Sequence, residues 1–102
     1  MIHVIATIEL KDGKRDEFLA IFREIVPAVR QEAGCLDYGP TIDFETTLEA
    51  QPPVRDNVVT VVERWESMEA LEAHLIAPHM LTYRAKVKDI VQTTRLRIVE
   101  PC

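Results

Sequence analysis

The sequence has few of the residues on which most recognisable chemistry depends. Its three glycines, Gly13, Gly34 and Gly39, are isolated from one another, so no glycine-rich loop is available to cradle a phosphate. Ser67 is the only serine and sits in no nucleophile elbow. Two cysteines, Cys35 and Cys102, are too few for a disulfide scaffold and point to a reducing compartment. Cys35 has no activating neighbour in sequence and reads as a small buried thiol. Basic charge is also short. Twelve Lys and Arg against 17 Asp and Glu leave a net charge of -5, which argues against nucleic acid as a partner. The one basic run, "RAKVK" from Arg84 to Lys88, reads as the solvated side of a helix. No apolar run approaches the roughly 20 residues of a membrane span. The apolar N-terminus alternates and lacks both a basic flank and a cleavage site, so a cytoplasmic protein without a signal peptide is expected.

What is present is an ordinary globular composition in 102 residues, with 47% hydrophobic and 28% charged, which predicts one domain over 1–102. Ile2 to Leu10 alternate with period two and predict a strand. From Arg15 to Ala33, Phe18, Phe22, Ile25, Val26 and Val29 follow helical spacing, with Gly34 in the place of a C-cap and Pro27 expected to kink the helix. Cys35 to Phe44 predicts a second strand, and the polar stretch "ETTLEAQPPVRD" a long hairpin connection. Asn57 to Trp65 is the strongest strand by β-branched content. Ser67 is a candidate N-cap for a helix from Met68 to Ala77. Pro78 suits the first position of the next helix, which runs to about Val91 with Met80, Tyr83, Val87 and Ile90 on one stripe. Thr94 to Glu100 alternates again. The order βαββαβ is the ferredoxin-like α+β arrangement, with helices on one face of an antiparallel sheet. In the first and third strands both faces carry apolar residues, which predicts a homodimer formed sheet face to sheet face.

Two of the three histidines lie in "AHLIAPHML", Ala73 to Leu81. A shared metal is disfavoured, because helical pairs that share one sit four apart and His74 and His79 are five apart across a proline. On periodicity His74 faces the sheet near Leu71, Trp65 and Tyr83. Two readings stay open: a satisfied core histidine with His79 as a cap, or a general base in an apolar pocket. The pair Asp37 and Asp43 reads as exposed or edge carboxylates.

The run "VVERWESMEALEAHLIAPHM", Val61 to Met80, resembles the signature of the antibiotic biosynthesis monooxygenase family through its E-x-W-x-S and H-x-x-x-P-H elements. "IVPAVRQEAGCLDYGPTID" and the closing "RLRIVEP" are similar to the bacterial quinol monooxygenase branch. The resemblance implies a dimeric α+β barrel acting on a small aromatic, quinol-like substrate and O2 with no metal, flavin or haem. It implies His74 as base or proton relay and His79 as a second or alternative base. Trp65 and Tyr83 become pocket walls, with Thr7 and Leu71 also on the substrate. In a haem-degrading branch the matching positions hold an asparagine and an axial histidine, where this chain has Thr7 and Arg84, which disfavours haem. The alternative of another class is a small-ligand binding dimer without turnover.

Overall fold

The computed structural model describes Met1–Cys102. Its elements are β1 (Ile2–Leu10), α1 (Arg15–Arg30), β2 (Cys35–Thr41), β3 (Val58–Trp65), α2 (Met68–Leu75), α3 (Pro78–Val87) and β4 (Val91–Val99). The four strands form one antiparallel sheet in the order β2-β3-β1-β4, the ferredoxin-like topology with its second helical segment broken in two. No helix is long and apolar enough to cross a membrane.

The alternation in β1 is the origin of the core. Val4, Ala6, Ile8 and Leu10 are buried towards the helices, and register places Val59, Val61 and Trp65 of β3 on the same face. Helix α1 lays Phe18, Phe22, Val26 and Val29 on that face, with Asp16 and Glu17 in its first turn and Arg30 in its last, as the helix dipole favours. Pro27 lies inside α1 and the helix runs on through it to Arg30. An aromatic chain links the layers, from Phe18 through Phe22 to Tyr83 and Tyr38, and on to Trp65 and His74.

Several boundaries differ from those expected. Helix α1 ends at Arg30, not Ala33, because Gln31 and Glu32 close the last turn on the carbonyls of Ala28 and Val29. The second strand stops at Thr41, where pairing to Thr60 ends, so Ile42 to Phe44 belong to the connection. That connection is tied across its ends by Arg55, whose backbone N–H, Nε and Nη2 each donate to Asp43 at 2.9 Å. The Arg55 hydrogen bonds hold the Asp43 carboxyl down at about 2. Helix α2 ends at Leu75 and α3 at Val87, while β4 begins three residues early at Val91. The Ser67 hydroxyl accepts from the Ala70 N–H, the cap that the sequence suggests.

Gly34 matters for a different reason from the one expected. It has φ +84 but lies four residues beyond α1, and its carbonyl accepts from the Glu66 N–H at 2.8 Å. A Cβ there would stand 2.6 Å from the Ala70 Cβ, so glycine lets the loop after α1 press against α2. Gly34→Ala is expected to cost more than about 1 kcal/mol in urea unfolding, from the positive φ and the contact together. An unchanged midpoint would show that the loop does not depend on this close approach.

The helices do not cover the whole sheet. Leu96 and Ile98 of β4 pair with Ala6 and Val4 and therefore share their inward face, yet remain 45% and 42% exposed. The opposite face is less apolar than the strand patterns suggest. Ile5 and Val62 form its centre, and Thr7, Thr60, Arg64, Arg95 and Arg97 surround them.

Candidate active site

Where α2 and α3 fall short of β4, a cavity of about 540 Å³ opens between the sheet and the helices. Most of its wall is apolar, drawn from Ala6 and Ile8 of β1, Phe22, Val61, Met80, Val87 and Leu96. A few polar side chains converge on it: Glu63, His74, Tyr38 and Tyr83, with Arg84 and Lys88 at the α3 side. This mixture, apolar with a small number of placed polar groups, is the character of a small-molecule site.

His74 is carried inward because it lies three residues after Leu71 on the buried stripe of α2, and it is almost wholly buried. Its ring packs on Trp65 with centroids 4.7 Å apart and meets Tyr38 edge-on at 5.3 Å. Nδ1 stands 2.9 Å from Oε2 of Glu32 and 3.2 Å from Oε1. A carboxylate only accepts, so the ring proton lies on Nδ1, which donates to Glu32. That leaves the Nε2 lone pair unused by the protein. Burial lowers the His74 pKa, opposed by the hydrogen bond and charge of Glu32 and reinforced by His79 and Arg84, so the resting ring is neutral.

Glu63 is the second titratable group of the cavity. It alternates inward with Val61 and Trp65 on β3 and is buried, with one oxygen accepting from the Trp65 indole N–H at 2.8 Å. Burial, opposed by that hydrogen bond, pushes its carboxyl up to about 7. Burial likewise pushes the phenols of Tyr38 and Tyr83 well above their ordinary value, so both remain O–H donors.

Of the six side chains expected at a site, His74 and Tyr83 line the cavity. Trp65 and Leu71 stand behind its wall, fully buried, because they are the side chains on which His74 and α2 pack. His79, the second residue of α3, turns away from the cavity, and its Nε2 meets Glu32 at 2.7 Å. Thr7 is on the other face of the sheet, paired with Thr60 and Arg95, because odd positions of β1 point away from the helices. Sequence reasoning gives no role to Glu63, although it opens the E-x-W-x-S element, or to Glu32. For Glu63 the signal was there, since the alternation that buries Val61 and Trp65 must bury the residue between them. Glu32 lies in a short loop with no periodicity to reveal it.

No three His, Cys, Asp or Glu side chains gather where an ion could be held. Both cysteines are free. Burial and nearby carboxylates, Glu32 first among them, raise the Cys35 thiol pKa, which leaves it a poor nucleophile.

The sequence profile of one family, antibiotic biosynthesis monooxygenase, matches residues 1–86. A protein of Escherichia coli K12 described as "Probable quinol monooxygenase YgiN" is 40% identical over 103 residues, covering 99% of this chain and 98% of that protein. Among solved structures, PA3566 of Pseudomonas aeruginosa superposes with a TM-score of 0.81 at 24% identity, over 99% of this chain and 93% of that one. A conserved protein of Methanosarcina mazei Go1 gives 0.82 at 22% identity, over 99% and 92%. These two likenesses speak for the fold alone.

Proposed function

The chain belongs to the antibiotic biosynthesis monooxygenase family, and from that premise we propose that it oxidises a quinol or similar polyphenol with O2, using no metal, flavin or haem. The observation that carries this reading is the free Nε2 of a neutral His74 in the wall of a largely apolar cavity. The E. coli relative supports the choice of a quinol.

Nε2 takes the phenolic proton, and the O–H electron pair stays on the substrate oxygen. The phenolate is electron-rich enough to pass one electron to O2, giving an aryloxyl radical and superoxide. A quinol completes the reaction by giving up its second electron and proton, and with the first proton returned from His74 the products are quinone and hydrogen peroxide. A phenol with an open para carbon instead combines with superoxide and, once protonated, carries a hydroperoxide. Loss of water then leaves a quinone with one oxygen atom from O2. The protein supplies a base, orientation and an apolar enclosure. Glu63, near its midpoint at neutral pH, and the Tyr38 and Tyr83 hydroxyls are placed to hydrogen-bond a second substrate oxygen. Met80, Phe22 and Val61 sandwich the ring, while Trp65 and Leu71 act from behind by fixing His74.

The test is oxygen uptake by chelator-treated protein with 1,4-dihydroxynaphthalene, against a protein-free blank because such quinols oxidise spontaneously. Uptake well above the blank is expected. A rate equal to the blank, with tight binding of the matching quinone, would turn the reading into a ligand-binding protein.

The same proposal includes a homodimer. Ile5 and Val62, with Val62 39% exposed, form an apolar centre on the second sheet face that a second copy would remove from water. Light scattering is expected to give twice the 11.7 kDa of one chain. A mass of one chain at micromolar concentration would remove the dimer.

A further inference from the structure

We infer that Glu32 is a positioning residue for the proposed base: its carboxylate locks His74 in the Nδ1–H tautomer and balances the charge formed when Nε2 takes a proton, while His79 clamps that carboxylate from the other side. The inference rests on the reading of His74 as base and extends it to two residues outside the cavity wall.

Three contacts define the arrangement. Glu32 Oε2 lies 2.9 Å from His74 Nδ1 and 2.7 Å from His79 Nε2, and Oε1 lies 3.2 Å from His74 Nδ1. Both histidines therefore donate to one acceptor. The Glu32 side chain is 14% exposed and that of His79 30%, so the cluster runs from a buried ring to the surface. Glu32 reaches this place because the loop after α1 is pressed on α2 at Gly34.

A neutral imidazole alone in an apolar wall has two tautomers of similar energy, and one of them offers the substrate an N–H in place of a lone pair. A carboxylate on Nδ1 removes that ambiguity. It also answers the cost of the imidazolium, which His74 would otherwise meet in a buried site. The groups facing His74 are Glu32 from the α1–β2 loop, His79 and Arg84 from α3, Tyr38 from β2, and Trp65 with its partner Glu63 from β3. Of these, Glu32 alone is identified as favouring the protonated ring, whereas His79 and Arg84 oppose it. His79 has its Nε2 committed to Glu32 and no place on the cavity, so it holds the carboxylate and is not a second base.

The first test needs only the wild-type protein. Nitrogen-15 NMR of the imidazoles is expected to show His74 protonated at Nδ1 and bare at Nε2. The opposite tautomer overturns the inference whether or not any quinol is turned over. The second is E32Q, nearly isosteric and in a loop. With 1,4-dihydroxynaphthalene, kcat is expected to fall at least about tenfold with KM within about twofold. The acid limb of kcat/KM should move to lower pH, since the group that raises the His74 pKa has gone. A lower rate with the limb unmoved, or no change in either, overturns the inference. Failure of the base itself looks different: His74→Ala would keep the wild-type rate although the wild-type ring is Nδ1–H.

Discussion

His74→Ala is expected to lower oxygen uptake with 1,4-dihydroxynaphthalene at least about a hundredfold, towards the spontaneous rate, while leaving quinone binding within a few-fold. The expectation follows from the division of labour in the cavity. Affinity comes from the apolar wall of Phe22, Val61, Met80 and Leu96, whereas His74 alone offers an unused lone pair of a neutral ring. Trp65 is the only tryptophan and its ring packs on His74, so quenching of its fluorescence reads binding in the same samples used for uptake. Parallel loss of binding and of thermal stability would identify His74 as a packing residue. Retention of the wild-type rate would move the base elsewhere, to Glu63 first.

Glu63→Gln is expected to change the pH dependence of stability more than any other substitution in the cavity. The folded carboxyl sits at about 7, above its ordinary value of 4.5, because burial penalises the ionised form. Between those values the folded state binds more protons than the unfolded chain, so stability falls as pH rises. This contribution is complete below about pH 4.5 and is lost as pH passes through about 7. The shift corresponds to about 3 kcal/mol between the two limits, an order-of-magnitude figure. Glutamine keeps an oxygen for the Trp65 N–H and has no charge to bury. The variant is therefore expected to match wild type near pH 5 and to exceed it at pH 8, in urea unfolding at both values. Parallel stability curves for the two proteins across that range would show that folding does not raise the Glu63 pKa.

These two expectations concern neighbouring groups with different histories in the sequence. His74 was legible, because its three-residue offset from Leu71 puts it on the buried stripe of α2. Glu63 obeys an equally simple rule, the alternation of β3, but a charged residue in a strand is ordinarily read as exposed. Its partner Trp65 makes the inward position tolerable through one hydrogen bond. Boundaries slipped where hydrogen bonding overruled pattern, as at Gln31 and Glu32 closing α1 or Thr41 ending the pairing of β2.

The sequence by itself determined the element order, the topology class and which residues of a strand or helix share one side. Those properties are periodic, and periodicity is local: a run of nine residues is enough to show that Val4, Ala6, Ile8 and Leu10 share a side. Tertiary structure alone decided which inward side chains meet open space and which meet one another. Trp65 and Leu71 ended in the packing, Thr7 on the far face, and Tyr83 at the cavity, because the gap lies where α2 and α3 stop short of β4. It also decided the partner of His74. Glu32 is 42 residues away in a loop, and only the close approach at Gly34 brings its carboxylate between the two histidines.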